Sequence, residues 1–172
     1  YNFTRSSTAN KKKIDNTPTS IAVESLKNLV SAVLDPLQDA LESKITITSG
    51  YRSSELNKAI AGTADDSQHM KGEAVDFKVR GVSSAEVVKK IINLGLPYDQ
   101  LIRYAPGRGG HIHVSYKQGG NRMAKLYGPE GKGYIKGTTG PEGERYTSLA
   151  EWKNKELNGL LLEKFNLGDN RK

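Results

Sequence analysis

All three histidines of the chain fall in two short segments. The first runs Ser67-Gln68-His69-Met70-Lys71-Gly72-Glu73-Ala74-Val75-Asp76, and the second His111-Ile112-His113-Val114-Ser115-Tyr116. Imidazole and carboxylate groups both bind zinc, and catalytic zinc sites commonly use three protein ligands and keep a position for water. The chain has no cysteine. Thiolate coordination and a disulfide framework are therefore both excluded, and any metal must be held by nitrogen and carboxylate oxygen. The segments do not form the helical H-E-x-x-H signature, so strands have to bring these side chains together.

Strand alternation supplies the means. Ala74 to Val79 reads as a strand with Val75, Phe77 and Val79 on one face and Ala74 and Asp76 on the other. His111 to Tyr116 reads as another, with Ile112 and Val114 toward the core and His111, His113 and Ser115 on the opposite face. One carboxylate and two imidazoles can then converge on one sheet face. The bland alternative is a row of polar residues on a half-exposed sheet.

The surrounding pattern says what must position these strands. Thr17-Pro18 resembles a helix cap followed by an N1 proline. Leu26, Leu29, Val30, Val33, Leu37 and Leu41 then recur at helical spacing, predicting a long amphipathic helix over 19–42. Lys44 to Ser49 reads as a strand ended by Gly50, Ser53 to Ile60 as a short helix, and Gly62 to Gly72 as a polar loop. Ser83 and Glu86 form a capping box for a helix through Leu94. Gln100 to Tyr104 pairs by pattern with His111 to Tyr116 as a hairpin. The expected fold class is α+β, a small, mainly antiparallel sheet with helices packed on one side. Residues 117–147 are rich in glycine, lysine and proline, and Ser148 to Phe165, with Trp152, Leu157, Leu160 and Leu161, is a helix candidate. The expected division is a core of 1–118 with 119–172 appended.

The 172 residues fit one domain with a small appendage, and 35% hydrophobic with 26% charged residues is a globular composition. No apolar run approaches the roughly 20 residues of a membrane span. Tyr1 to Lys13 carries no signal-peptide core, and the chain starts without Met, so an export signal could have been removed. The net charge of +7 fits either a solvated basic surface or attraction to a polyanion such as nucleic acid or an anionic cell wall. Lys11-Lys12-Lys13 is the basic cluster, and no aromatic residues interleave with it, which makes a nucleic-acid partner a weak reading.

Three stretches together carry a resemblance: Ser49-Gly50-Tyr51-Arg52-Ser53 with Leu56-Asn57, then Ser67-x-His69-x-x-Gly72-x-Ala74-x-Asp76, then His113-Val114-Ser115. This ordered set resembles the zinc D-Ala-D-Ala carboxypeptidase family, which shares its core with hedgehog domains, and in particular its short phage- and bacterium-encoded peptidase domains. Ile14-Asp15-Asn16-Thr17-Pro18, Leu34-Asp35-Pro36-Leu37 and Leu96-Pro97-Tyr98-Asp99-Gln100-Leu101-Ile102 extend the likeness over roughly residues 3–118. The resemblance implies Zn2+ held by His69, Asp76 and His113. It implies Arg52 on the substrate carbonyl or its oxyanion, with Ser67 and Tyr51 near the substrate. It also implies hydrolysis of peptidoglycan peptides in the cell wall, periplasm or extracellular space, by a phage lysin or virion-associated protein working beside other virion proteins.

One departure bears on catalysis. Many relatives carry Glu or Asp shortly before the last histidine, whereas Arg103 to Gly110 holds no carboxylate. Either His111 takes the general-base role, or the domain binds zinc and hydrolyses poorly, serving a structural or wall-binding purpose in a phage particle. Asp99 reads as structural, and alternation turns Glu73 away from the face of Asp76.

Overall fold

The computed structural model describes residues 1–104 and 109–120 in full, and the backbone alone of 124–128, 135–136, 138–139 and 145–146. Strand β1 is Ile45–Ser49, β2 Ala74–Val79, β3 Gln100–Tyr104 and β4 Ile112–Ser115. They pair antiparallel in the order β1-β2-β4-β3, with Asp76 opposite His113 and Leu101 opposite Val114. Two further strands, β5 (Ala124–Gly128) and β6 (Ile135–Lys136), extend this sheet, β5 running parallel to β3. Strands β7 (Thr138–Thr139) and β8 (Arg145–Tyr146) pair with each other. The helix candidate over 148–165, with Trp152, lies outside the described residues.

One face of the sheet carries the core. Ile45, Val75, Phe77, Val79, Leu101, Ile112 and Val114 are buried against apolar residues of the helices. The long helix read over 19–42 is present but is not uniform. It runs as α2 (Ser20–Leu29), a π turn (Val30–Leu34) and α3 (Asp35–Leu41). Pro36 explains the break: it has no N–H for the helical ladder, and its ring crowds the carbonyl four residues back. The wider turn absorbs that conflict, with the Asp35 N–H donating to Val30 O. The cap also differs from the Thr17-Pro18 reading. Thr19 is the N-cap and accepts from the Ala22 N–H, while Thr17 hydrogen-bonds Asp15.

Helix α5 (Ser84–Asn93) starts at the expected capping box, Ser83 and Glu86 each bonding the other's backbone, and buries Val87, Val88, Ile91 and Ile92. Helix α4 (Ser54–Ala59) is capped by Ser53. A short helix α1 (Ser7–Lys12), capped by Ser6, lies in the N-terminal arm. That arm crosses the end of β1: the Tyr51 N–H donates to Phe3 O at 2.7 Å, and a Cβ on Gly50 would sit 2.3 Å from the same oxygen.

Candidate metal centre

The sheet's other face brings the two histidine segments together. Asp76 and His113 are cross-strand partners on β2 and β4, so their side chains project from adjacent points. His69 arrives from a 3-10 turn (Gln68–Lys71) within the segment read as a polar loop. Gly72 closes that turn at φ 70° and lies so close to α2 that an added Cβ would be 2.1 Å from Ala22 O. A glycine is therefore required both by the backbone angle and by the contact.

The three side chains offer atoms that lie within 4.8 Å of one another. His69 Nε2 is 3.4 Å from Asp76 Oδ1 and 3.3 Å from His113 Nδ1, and His113 Nδ1 is 2.8 Å from Asp76 Oδ1. Tetrahedral zinc with bonds of about 2.0–2.1 Å places its ligand atoms roughly 3.3–3.4 Å apart. Two of the three edges already have that length. All three residues are buried or nearly so, at 3%, 9% and 9% exposed, and a set of this kind needs either a cation or a shared proton to be tolerated.

The tautomer of His69 points the same way. Its Nδ1 is 2.7 Å from Gly50 O. A carbonyl only accepts, so Nδ1 carries the proton and the Nε2 lone pair faces the cluster. A ligating histidine anchored through its other nitrogen to a backbone carbonyl is the usual arrangement around a bound metal. The donor set of two nitrogens and one carboxylate oxygen thus fits a zinc-type cation.

Electrostatics keep His69 and Asp76 in the right protonation states. Burial pushes the His69 imidazolium down, against the pull of Asp76, so its imidazole stays neutral below the ordinary range. Burial pushes the Asp76 carboxyl up, but the hydrogen bond from His113 and the closeness of both imidazoles outweigh it and hold the group well below the usual carboxylate range. Arg52, 13% exposed in its side chain, donates from Nη2 to Asp76 Oδ2 at 3.2 Å and from Nε to Ser49 Oγ at 3.1 Å.

The remaining sequence candidates are dispersed around this centre. His111 precedes β4, half-buried, and stacks on Tyr104 with ring centroids 4.2 Å apart. Burial lowers its pKa first, while the field of Asp76 opposes this. It is outside the three-residue group. Tyr51 is buried in the core, and Ser67 is half-buried at the start of the His69 turn. Ser115 is fully buried and accepts from the Gln100 N–H, so it is a structural member of its strand face. Glu73 turns aside to Gln68, 3.4 Å from its Nε2. Asp99 is buried at the start of β3, its N–H donating to Ser115 O.

Sequence reasoning missed the supporting residues. Gly50 supplies the anchoring carbonyl, and Ser49 orients Arg52. Asn16 ties the loop down: Nδ2 donates to Thr4 O and Tyr51 O, and Oδ1 accepts from the Ser53 N–H. Asn16 and Ser49 both lie within stretches that carried the resemblance, but the role of Asn16 depends on backbone atoms distant in sequence, and that of Ser49 on the path the chain takes between it and Arg52.

No curated protein matches the chain. A family model described as Peptidase M15 matches residues 1–115, well over half of the chain and the whole of the stretch that builds the carboxylate–imidazole cluster. The chain belongs to the peptidase M15 family.

Proposed function

We propose that the chain is a zinc-dependent hydrolase of peptidoglycan peptides, of D,D-carboxypeptidase or endopeptidase type, acting in the cell wall, periplasm or extracellular space as a phage lysin. The observation that carries this is the convergence of His69 Nε2, Asp76 Oδ1 and His113 Nδ1, with His69 locked through Gly50 O. Membership of a metallopeptidase family supports it. In this reading those three atoms are the zinc ligands. Residues 1–118 form the peptidase core, and 119–172 are an appended element that could contact other virion proteins.

When bound, the zinc ion supplies a Lewis acid that brings water toward a pKa of ~7 and polarises the scissile carbonyl. The chain's own groups do the rest. His111, kept neutral by its burial, accepts the proton of the attacking water and returns it to the leaving amine. Its stacking on Tyr104 fixes the ring plane. Arg52 spends Nε and Nη2 on Ser49 and Asp76. A guanidinium has five N–H donors, and those left over can meet the oxyanion of the tetrahedral intermediate. Ser67 offers its hydroxyl to the substrate beside the His69 turn. Tyr51, buried, shapes the wall next to Arg52.

A second reading is a zinc-binding domain with little activity, serving a structural or wall-binding role in a phage particle. The observation in its favour is the lack of any carboxylate from Arg103 to Ile112, ahead of His113. Zinc analysis combined with digestion of muropeptides separates the two. The hydrolase reading expects zinc in the purified protein, cleavage by the intact chain, and zinc retained with activity lost in His111→Ala. Zinc-loaded protein that cleaves no muropeptide from several wall types would favour the second reading, and protein that takes up no zinc would remove both.

A further inference from the structure

Strand β1 is the outer strand of the sheet, and a cleft of about 1470 Å³ runs along it. That is larger than the roughly 300–1,000 Å³ of a typical small-molecule pocket, and a cleft along a strand suits an extended chain. One wall is Lys44 with strand β1. The N-terminal arm at Tyr1 and Arg5 and the end of α3 at Asp39 and Glu42 form the others.

The ladder sets which backbone groups of β1 face this cleft. The Arg80 N–H donates to Lys44 O at 3.2 Å, so Lys44 and Thr46 point their backbone at β2. By antiparallel alternation Ile45 and Ile47 point theirs outward. The outward N–H of Ile45 is taken by Gln38 Oε1 at 3.0 Å, and beyond the strand the Tyr51 N–H is taken by Phe3 O. Between these two closures lie Ile45 C=O, Ile47 N–H and Ile47 C=O. No bond to another described residue occupies them, and such an open edge is a template for a further strand.

The cleft reaches the candidate active site at Arg52. Its lining passes from Ser49 through Gly50 and Tyr51 to Arg52, and Arg52 also holds Asp76. The thickened turn of β1 at Thr48, where the register shifts, aims Ser49 toward Arg52. Asp39 and Glu42 at one end offset Arg5, Lys44 and Arg52, a mixture that suits a zwitterionic peptide better than a polyanion.

We propose that the edge of β1 binds the distal part of an extended peptide substrate as an added strand, through Ile45 C=O and both backbone groups of Ile47. This rests on the reading of the chain as a peptide hydrolase. A strand added outside β1 runs about 10 Å from β2, two strand spacings away. At roughly 3.3 Å per residue, the paired part therefore begins about three residues from the bond that meets Asp76 and His113. The edge selects substrates by length, not by the residues flanking the cleaved bond.

The test uses the zinc-loaded full chain and two substrates: the muropeptide it cleaves, and the same peptide cut back to at most two residues on each side of the cleaved bond. Two or three backbone hydrogen bonds correspond to a loss of about tenfold in kcat/KM for the short peptide. Ile47→Pro removes an N–H that β2 does not use, so the gap between long and short peptides closes while cleavage of the short one persists. A gap that survives Ile47→Pro, or no gap in the unaltered protein, overturns the proposal. Hydrogen exchange on the unaltered protein judges it independently of folding in the variant. Saturating muropeptide should slow the Ile47 amide about tenfold and leave Thr46, already bonded to β2, unchanged. An unaffected Ile47 amide overturns the proposal, as does protection that grows with protein concentration and needs no peptide, which would assign the edge to a second copy. Failure to cleave any muropeptide would instead count against the hydrolase reading, and the Ile47 amide would still decide the edge.

Discussion

At the residue scale, Arg52 and Asn16 separate chemistry from support. Arg52 reaches Ser49 and Asp76 through different nitrogens of one planar fork. Lysine places its three donors on one point and cannot reproduce the separate Nε and Nη positions that serve Ser49, Asp76 and an oxyanion at once, so Arg52→Lys should keep zinc yet lose about 10²–10³ in kcat, the scale of a removed oxyanion donor. Metal analysis beside muropeptide turnover checks this, and an active Arg52→Lys enzyme would discard the oxyanion role. Asn16 touches no reacting group in this reading. Its three hydrogen bonds to Thr4, Tyr51 and Ser53 hold the Gly50–Arg52 loop that anchors His69. Asn16→Ala should cost about 2 kcal/mol in a denaturant melt, since each bond contributes about 0.5–1.5 kcal/mol and two backbone carbonyls remain near water. A melt identical to that of the unaltered protein would show the loop to be held by Phe3 alone.

At the element scale, the turn bearing His69 depends on how it meets α2. Gly62 and Gly72 both have positive φ, 76° and 70°, but an added Cβ meets nothing within 4 Å at Gly62 and lies 2.1 Å from Ala22 O at Gly72. Gly62→Ala should cost about 1 kcal/mol, the left-handed penalty alone. Gly72→Ala must also push the turn off the helix, and should cost about 2–4 kcal/mol and reduce zinc uptake. Equal melts for the two variants would mean that the turn can move freely. The same elements show what was legible in the sequence. Period-two alternation placed Asp76 and His113 on one face because a strand offers only two faces, and the Ser83–Glu86 box was readable because its bonds are local. The π turn was not, because apolar positions at Leu26, Leu29, Val33 and Leu37 keep roughly the same stripe whether or not one turn is widened around Pro36. Nor were the roles of Gly50 O and Asn16, which rest on contacts with chain 12 to 37 residues away.

At the scale of the whole molecule, the peptidase M15 stretch ends at residue 115, just where β4 closes the cluster. Stability and metal binding are therefore linked through the same buried groups. In the metal-free chain His69 is held neutral by burial, below its ordinary value of 6.5. An unfolded chain binds a proton there below that pH while the folded chain does not, so unfolding takes up protons and stability falls as pH drops. The loss begins near pH 6.5 and continues down to the lowered folded value. Asp76 has the same sign in a lower window: its folded carboxyl lies below 3.8, so its contribution is present above that value and is lost as pH falls toward the folded one. Zinc adds a competition at the same nitrogen, because a proton on His69 Nε2 displaces it. At 1,000 times its Kd, zinc contributes about 4 kcal/mol to the folded state. Thermal melts from pH 7.5 to 5 should therefore show a falling Tm without metal and a steeper fall with zinc, the two curves converging as zinc is released. In His69→Gln the zinc increment should vanish at every pH, and the metal-free curve should flatten between pH 6.5 and 5. A zinc increment that persists in His69→Gln would place the bound metal somewhere other than the cluster on β2 and β4.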